Sequence, residues 1–273
     1  MEDILAHKRS AIARRKQAVP LNAVRAQARM QVRPLDIVSC LRDGRLSVIP
    51  HLQQASPELG LYVRQYDPVG LARLFEQNGA AAISVTTEER FYYGGMDHLT
   101  LVKRAVSVPV WDHDYVIDPY QIYEARAAGA DGILLFPYVL DDDTLRALIS
   151  LVQRLKMTEM ALVRNEAEVW RVSALDPRVV AIATSDPVTQ QVDMDLPARL
   201  RPLLPSHTTV LAMGGVRAVE DVQRIAAAGL DGVVVGYWLL TGGDRLAKLR
   251  GLLGLSAHPP EDPAASYRVD NTP

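Results

Sequence analysis

The chain has one cysteine, Cys40, among 273 residues, so no internal disulfide can hold it together. It lacks any apolar run approaching the roughly 18 residues that a membrane span needs. Its first residues, "MEDILAHKRSAIARRKQ", are charged throughout and contain no apolar signal region. A soluble, cytoplasmic protein is the expectation. Charge of one sign is also missing. Thirty Lys and Arg stand against 32 Asp and Glu, and a net charge of −2 argues against a nucleic-acid or membrane-surface binder, since either needs a basic face. No G-x-G-x-x-G follows the first strand-like run, which weakens a dinucleotide-binding reading.

What is present is an alternation. The apolar share of 48% is enough for a real core. Residues 1–45 form a basic, amphipathic, helix-like extension without a convincing strand. Ile4 and Ile12 fall at helical spacing, and its Lys and Arg run reads as a solvated face. From Leu46 onward, eight strand-like runs appear: "LSVIPHL", "AAISVTT", "VPVWDHD", "GILLFPY", "MALVR", "VVAIATS", "TVLAMGG" and "GVVVGYW". Between them lie amphipathic runs such as "DPYQIYEARAAGA" and "AVEDVQRIAAAG", with Asp at their starts and Gly at their ends, the marks of capped helices. Nearly continuous apolar strands alternating with helices imply a parallel sheet. Eight such units over residues 46–255 point to a (β/α)8 TIM barrel behind an N-terminal helical extension. Residues 256–273, "SAHPPEDPAASYRVDNTP", are rich in Pro and polar residues and read as a flexible tail.

In such a barrel the chemistry lies at the C-terminal ends of the strands. Read there, "YDPVGLARLFEQNGAAAISVTTEERFYYGG" and "VSVPVWDHDYVIDPYQIYEARAAGADGILL" resemble the indole-3-glycerol phosphate synthase family, over roughly Ile4 to Leu255. That resemblance implies closure of an indole ring on a phosphorylated carboxyphenylamino-deoxyribulose, with loss of CO2 and water. It implies no cofactor and no metal. The family's chemistry uses a cationic general acid, carboxylates for proton traffic and a phosphate cradle.

Against the family pattern, the residue types at those positions are different. His51 and Gln53 stand for the Glu and Lys of the first strand, with Ser56 and Pro57 kept. His113 stands for the Lys of the third strand and Asp112 for its Arg. Leu162 takes the place of the fifth-strand Glu, Ala183 and Ser185 replace an Asn and an Arg with Asp186 kept, and Met213 replaces the seventh-strand Glu. Gly215 and Gly236 of the phosphate cradle remain, followed by Tyr237 and Trp238. Those two aromatics either wall an apolar pocket or pack on the last helix.

Strand alternation places His51 and Gln53 on one inward face, and Trp111, His113 and Tyr115 on another. His51 and His113 are the candidate catalytic pair, two imidazoles able to act as general acid and base near neutral pH. Gln53, Ser56, Tyr92, Tyr93, Trp111, Arg164, Gly215, Gly236, Tyr237 and Trp238 are candidate substrate contacts. His51, His113 and Asp112 have donor atoms for a metal, but alternation turns Asp112 away; Asp112 and Asp114 then orient neighbours from behind the strand. Asp118 reads as a helix N-cap with Pro119 at the first helical position. Three functions follow. The first is a repurposed barrel enzyme carrying out an acid–base cyclisation, dehydration or other lyase-type step on a small, less phosphate-dependent substrate, in specialised biosynthesis. The second is an inactive pseudoenzyme serving as a binding module, and the third a true synthase with unusual site residues.

Overall fold

A computed structural model describes residues 1–41, 45–186, 189 and 191–255. The segment read as a flexible tail lies outside the described residues. Three helices come first: α1 (Glu2–Ala18), α2 (Leu21–Met30) and α3 (Ile37–Leu41). Eight strands follow, β1 (Ser47–Leu52), β2 (Ile83–Thr86), β3 (Val110–His113), β4 (Gly132–Leu135), β5 (Thr158–Val163), β6 (Val179–Ala183), β7 (Thr209–Met213) and β8 (Gly232–Val235). All pair in parallel, and β1 pairs with both β2 and β8, so the sheet closes into the expected (β/α)8 barrel. The connecting helices used below are α4 (Pro119–Ala128), between β3 and β4, and α5 (Arg245–Leu252), after β8. Among the described residues, no helix is long and apolar enough to cross a membrane.

The strand residues divide by parity. Val48, Val85, Ile133, Val180 and Val233 face the helices and join the larger core. Ile49, Trp111, Leu134, Met160, Leu162, Ala181, Leu211 and Val234 face inward and fill the barrel with a second core. Ile37, Val38 and Leu41 of α3 join that inner core and plug its lower end. Trp111 lies there too, fully buried. A Cβ on Gly132 would sit 2.1 Å from its Nε1 and 2.7 Å from Ile37 Cδ1, so the indole fits only because β4 begins with glycine. Trp111 is therefore a floor residue and not a substrate contact. Alternation gave its face correctly but not its depth.

The capping signals were legible. Asp118 accepts from Tyr120 N–H at 2.8 Å while the Gln121 side chain accepts from Asp118 N–H, a complete capping box with Pro119 at the first turn of α4. One charge of the N-terminal helix departs from the solvated face. Lys8 is only 2% exposed, and its Nζ lies 2.6 Å from Asp114 Oδ2 and 4.0 Å from Glu88 Oε1. Helical spacing explains the difference, because Ile4, Lys8, Ala11 and Ile12 share the buried stripe of α1.

Candidate functional site

At the C-terminal ends of the strands a cavity of about 660 Å3 opens. It is bounded by Gln53, Ser56, Glu58 and Leu59 after β1, Tyr92 after β2, Ser185 after β6, Gly214, Gly215 and Arg217 after β7, and Gly236, Tyr237 and Trp238 after β8. Seven of the expected contacts thus meet: Gln53, Ser56, Tyr92, Gly215, Gly236, Tyr237 and Trp238. Trp238 satisfies both readings made of it. It lines the cavity, and Lys248 of α5 stands 4.9 Å from the ring centroid and donates to its carbonyl oxygen.

Besides Trp111 in the barrel floor, two expected contacts lie elsewhere. Tyr93 takes a left-handed backbone, φ 52°, and turns its ring outward, half exposed; its carbonyl oxygen instead holds Gln54 Nε2 at 2.6 Å. Arg164 projects above Leu162, as parity requires, but is engaged by its own protein. It forms a 2.6 Å ion pair with Glu168, lies 3.8 Å from Asp186 and stacks 3.9 Å from the Tyr138 ring centroid. It borders a separate pocket of about 460 Å3 with Asn165, Asp186 and Arg199.

The expected histidine pair is assembled one layer below the cavity. The rings of His51 and His113 lie 4.0 Å apart between centroids, tilted by 48°. Ser84 of β2, which sequence reasoning missed, stands between them, with its Oγ 2.9 Å from His51 Nδ1 and 3.4 Å from His113 Nδ1. His51 Nε2 meets Gln53 Oε1 at 2.7 Å and Thr86 Oγ1 at 3.0 Å. Gly236 closes over it, so near that a Cβ there would meet His51 Cδ2 at 3.1 Å. The signal for Ser84 and Thr86 was the parity of "AAISVTT", which puts both hydroxyls inward beside the two histidines. Tyr62, also missed, neighbours Gln53, which partly opposes the burial that raises the Tyr62 hydroxyl, and packs edge-on against Tyr237 with centroids 5.0 Å apart.

The electrostatics differ from the expectation of an acid and a base poised near neutral pH. Burial pushes the His51 imidazole down to about 4, with its bond to Gln53 only partly opposing, and pushes His113 well below its usual value, helped by His51 beside it. Both rings are neutral at pH 7. No carboxylate offsets that burial from the end of β3, because Asp112 and Asp114 face the other way. Asp112 accepts from Thr87 Oγ1 at 2.6 Å and Asp114 from Lys8, both on the helix side of the strand. There, burial and the neighbouring Asp114 raise Asp112 to about 7, against the opposing effects of Thr87 and Lys8. Asp112 is thus separated from both imidazoles by the sheet, and the three do not form a ligand set.

A closed parallel barrel with its cavity at the C-terminal strand ends has the architecture of the (β/α)8 enzymes. The 3-hexulose-6-phosphate synthase of Salmonella typhimurium shares that fold, at a TM-score of 0.61 and 15% identity, covering 77% of this chain and 97% of the other. Closer likeness comes from sequence. The family model described as indole-3-glycerol phosphate synthase matches residues 1–252. Proteins of that name from Mycolicibacterium vanbaalenii and Mycobacterium avium are each 38% identical over 259 residues, covering 95% of both chains. The chain belongs to the indole-3-glycerol phosphate synthase family.

Proposed function

We propose that the chain is an acid–base lyase or cyclase of this family, working on a small molecule by proton transfer through the His51–His113 pair rather than through a cationic acid and a carboxylate. The observation that carries this reading is the Ser84-bridged pair of neutral imidazoles under the 660 Å3 cavity, at the positions where the family pattern has Glu and Lys. A neutral imidazole can take or give a proton, but it does not supply the standing positive charge that steadies a developing alkoxide. Steps whose main demand is moving a proton, such as cyclisation followed by dehydration, suit it best.

The wall supports a substrate with a flat or apolar portion. Tyr92, Tyr237 and Trp238 offer ring faces and edges, and Leu59 and Val192 extend them. Arg217 borders the cavity beside Gly215 and Gly236, so an anionic group can still be met at that end, while the aromatic wall takes the rest of the substrate. A cytoplasmic enzyme of a specialised biosynthetic route fits these features. A second reading, a binding module without turnover, draws on Leu162 and Met213, neither of which can move a proton.

The curated relatives are named for indole-3-glycerol phosphate formation, so carboxyphenylamino-deoxyribulose phosphate is the first compound to test. Indole fluorescence reports turnover, and intrinsic tryptophan fluorescence reports binding. Slow or absent turnover with measurable binding, together with turnover of a related unphosphorylated or more apolar compound that is lost in His113→Ala, is the expected result. Turnover at an ordinary enzymatic rate of about 1–10³ s⁻¹ that survives His113→Ala would remove the pair from the mechanism.

A further inference from the structure

The partners of the two imidazoles determine where each ring carries its hydrogen. The tautomer of a neutral imidazole is set by the hydrogen bonds its two nitrogens make. Gln53 Oε1 only accepts, so His51 Nε2, 2.7 Å away, carries hydrogen and shares it with Thr86 Oγ1. A neutral ring has one N–H, so His51 Nδ1 is a bare lone pair, and the Ser84 hydroxyl at 2.9 Å donates its single proton to it. With that proton committed, Ser84 Oγ can only accept from His113 Nδ1 at 3.4 Å. His113 Nε2 is then left unprotonated. Among the described residues it has no hydrogen-bond partner, and it is not among the atoms sealed from solvent without one.

We propose that Gln53, His51 and Ser84 form a directed hydrogen-bond chain that holds His113 in its Nδ1–H form and makes His113 Nε2 the base of the site. Ser84 and Gln53 are positioning residues in this arrangement, and His51 is the far end of a proton relay. The inference rests on the reading of this pair as the acid–base centre and deepens it by naming the reacting atom.

The relay balances. His113 Nε2 takes a proton from a C–H, N–H or O–H of the substrate, and the electron pair of that bond stays on the substrate. His113 passes its Nδ1 proton to Ser84 Oγ, and Ser84 passes its own to His51 Nδ1. His51 becomes the imidazolium, with its Nε2–H held by Gln53 Oε1. The reverse sequence returns one proton to a leaving hydroxyl, which departs as water. No oxidant, reductant or metal enters. Because the proton finishes on a buried ring without a carboxylate partner, it is handed back rather than retained. This favours reactions that move a proton between two atoms of one substrate.

The test uses the full chain labelled with 15N-histidine and long-range 1H–15N correlation at neutral pH. The six histidines are distinguished by the spectra of His51→Gln and His113→Gln. The expected spectrum shows His51 protonated at Nε2 and His113 protonated at Nδ1. In Ser84→Ala the His113 pattern should shift toward hydrogen on Nε2. Hydrogen on His113 Nε2 in the unaltered chain overturns the proposal, as does a His113 spectrum that ignores Ser84→Ala. Loss of turnover in His113→Ala with the reversed tautomer would reject the chain while keeping the acid–base reading. Full turnover in His113→Ala would reject both.

Discussion

The mouth of the barrel is built in two unlike arcs. Over β1–β3 the inward residues are His51, Ser84, Thr86 and His113, joined in one network. Over β4–β8 they are Phe136, Leu162, Ala183, Met213 and Val234, with no side-chain group that can exchange a proton. The difference shows how a buried polar group is kept in a small barrel. In a low dielectric it persists only when its neighbours satisfy it, so such groups come as a connected set or not at all. The apolar arc makes no such demand and contributes shape. On the proposed function, the reacting atom sits over β1–β3 and the rest of the substrate lies toward β8.

Matched truncations break this comparison most strongly. His113→Ala should lower kcat/KM by about 10²–10⁴-fold, the usual cost of losing an acid–base group, and the volume-keeping His113→Gln should do the same. Leu162→Ala, in the other arc, should destabilise by about 2–5 kcal/mol through its cavity and alter kcat/KM by less than about tenfold. If variants of the two arcs lost activity equally, the division into arcs would carry no chemistry.

The second comparison is between the two faces of β3. The inner face has a neutral network, and the outer face has Lys8, Asp114 and Glu88, all nearly sealed from water. Glu88 Oε2 also accepts from the backbone N–H groups of Phe91 and Tyr92, so this cluster braces the loop whose Tyr92 lines the cavity. Lys8→Ala leaves two buried carboxyl groups without their cation and should cost about 3–5 kcal/mol, read as a fall in Tm and in the urea midpoint. Lys8→Met fills the space and separates the cost of lost packing from that of lost charge. An unchanged Tm in both would show that α1 does not depend on this ion pair.

Protonation sharpens the same contrast at smaller scale. His51 is depressed from 6.5 to about 4, so between those values the unfolded chain binds a proton that the folded chain refuses. The stability due to His51 is complete above pH 6.5 and is lost on acidification, at about 1.4 kcal/mol per pH unit. His113 acts in the same direction. Asp112, raised to about 7, acts in the opposite sense through the same window, since the folded chain holds its proton where the unfolded chain has released it. Glu124, raised from its usual value by burial, acts with Asp112, so the variants rather than the unaltered chain read the two senses apart, against the slope of urea midpoint from pH 6.5 to pH 5. His51→Gln should make the midpoint fall less on acidification than in the unaltered chain, and Asp112→Asn should make it fall more.

The outcome for the sequence reading follows from what period and composition encode. Strand parity is a local property, and it located all eight strands and the inward placement of His51, Gln53, His113 and Arg164. Depth along a strand is not local. Trp111 and His113 share a face, yet one is the floor and the other the mouth, and only the α3 plug and Gly132 decide which. Pairing is not local either. Arg164 has the expected parity but borders another pocket, and its neutralisation by Glu168 one turn into the next helix depends on the rotamer. The direction of the histidine shifts was missed because it depends on which face the β3 carboxylates take and on how completely the mouth is covered. Ser84 was overlooked among apolar neighbours, although its parity with Thr86 marked it.

The smallest effect is expected at the rim of the apolar arc. Tyr237 is half exposed and makes an edge-on contact with Tyr62, a pairing worth about 0.5–1.5 kcal/mol when well buried. Half exposure reduces that value, so Tyr237→Ala should shift stability by less than about 1 kcal/mol. The contact nevertheless links two regions that parity alone would keep apart, because Tyr62 neighbours Gln53, and Gln53 holds His51 Nε2. If the arcs are functionally separate, Tyr237→Ala should weaken binding of an aromatic ligand, read by tryptophan fluorescence, and leave the pH dependence of kcat in place. If Tyr62 transmits the loss, the pH profile moves with the affinity, and the aromatic rim becomes part of the proton-handling network.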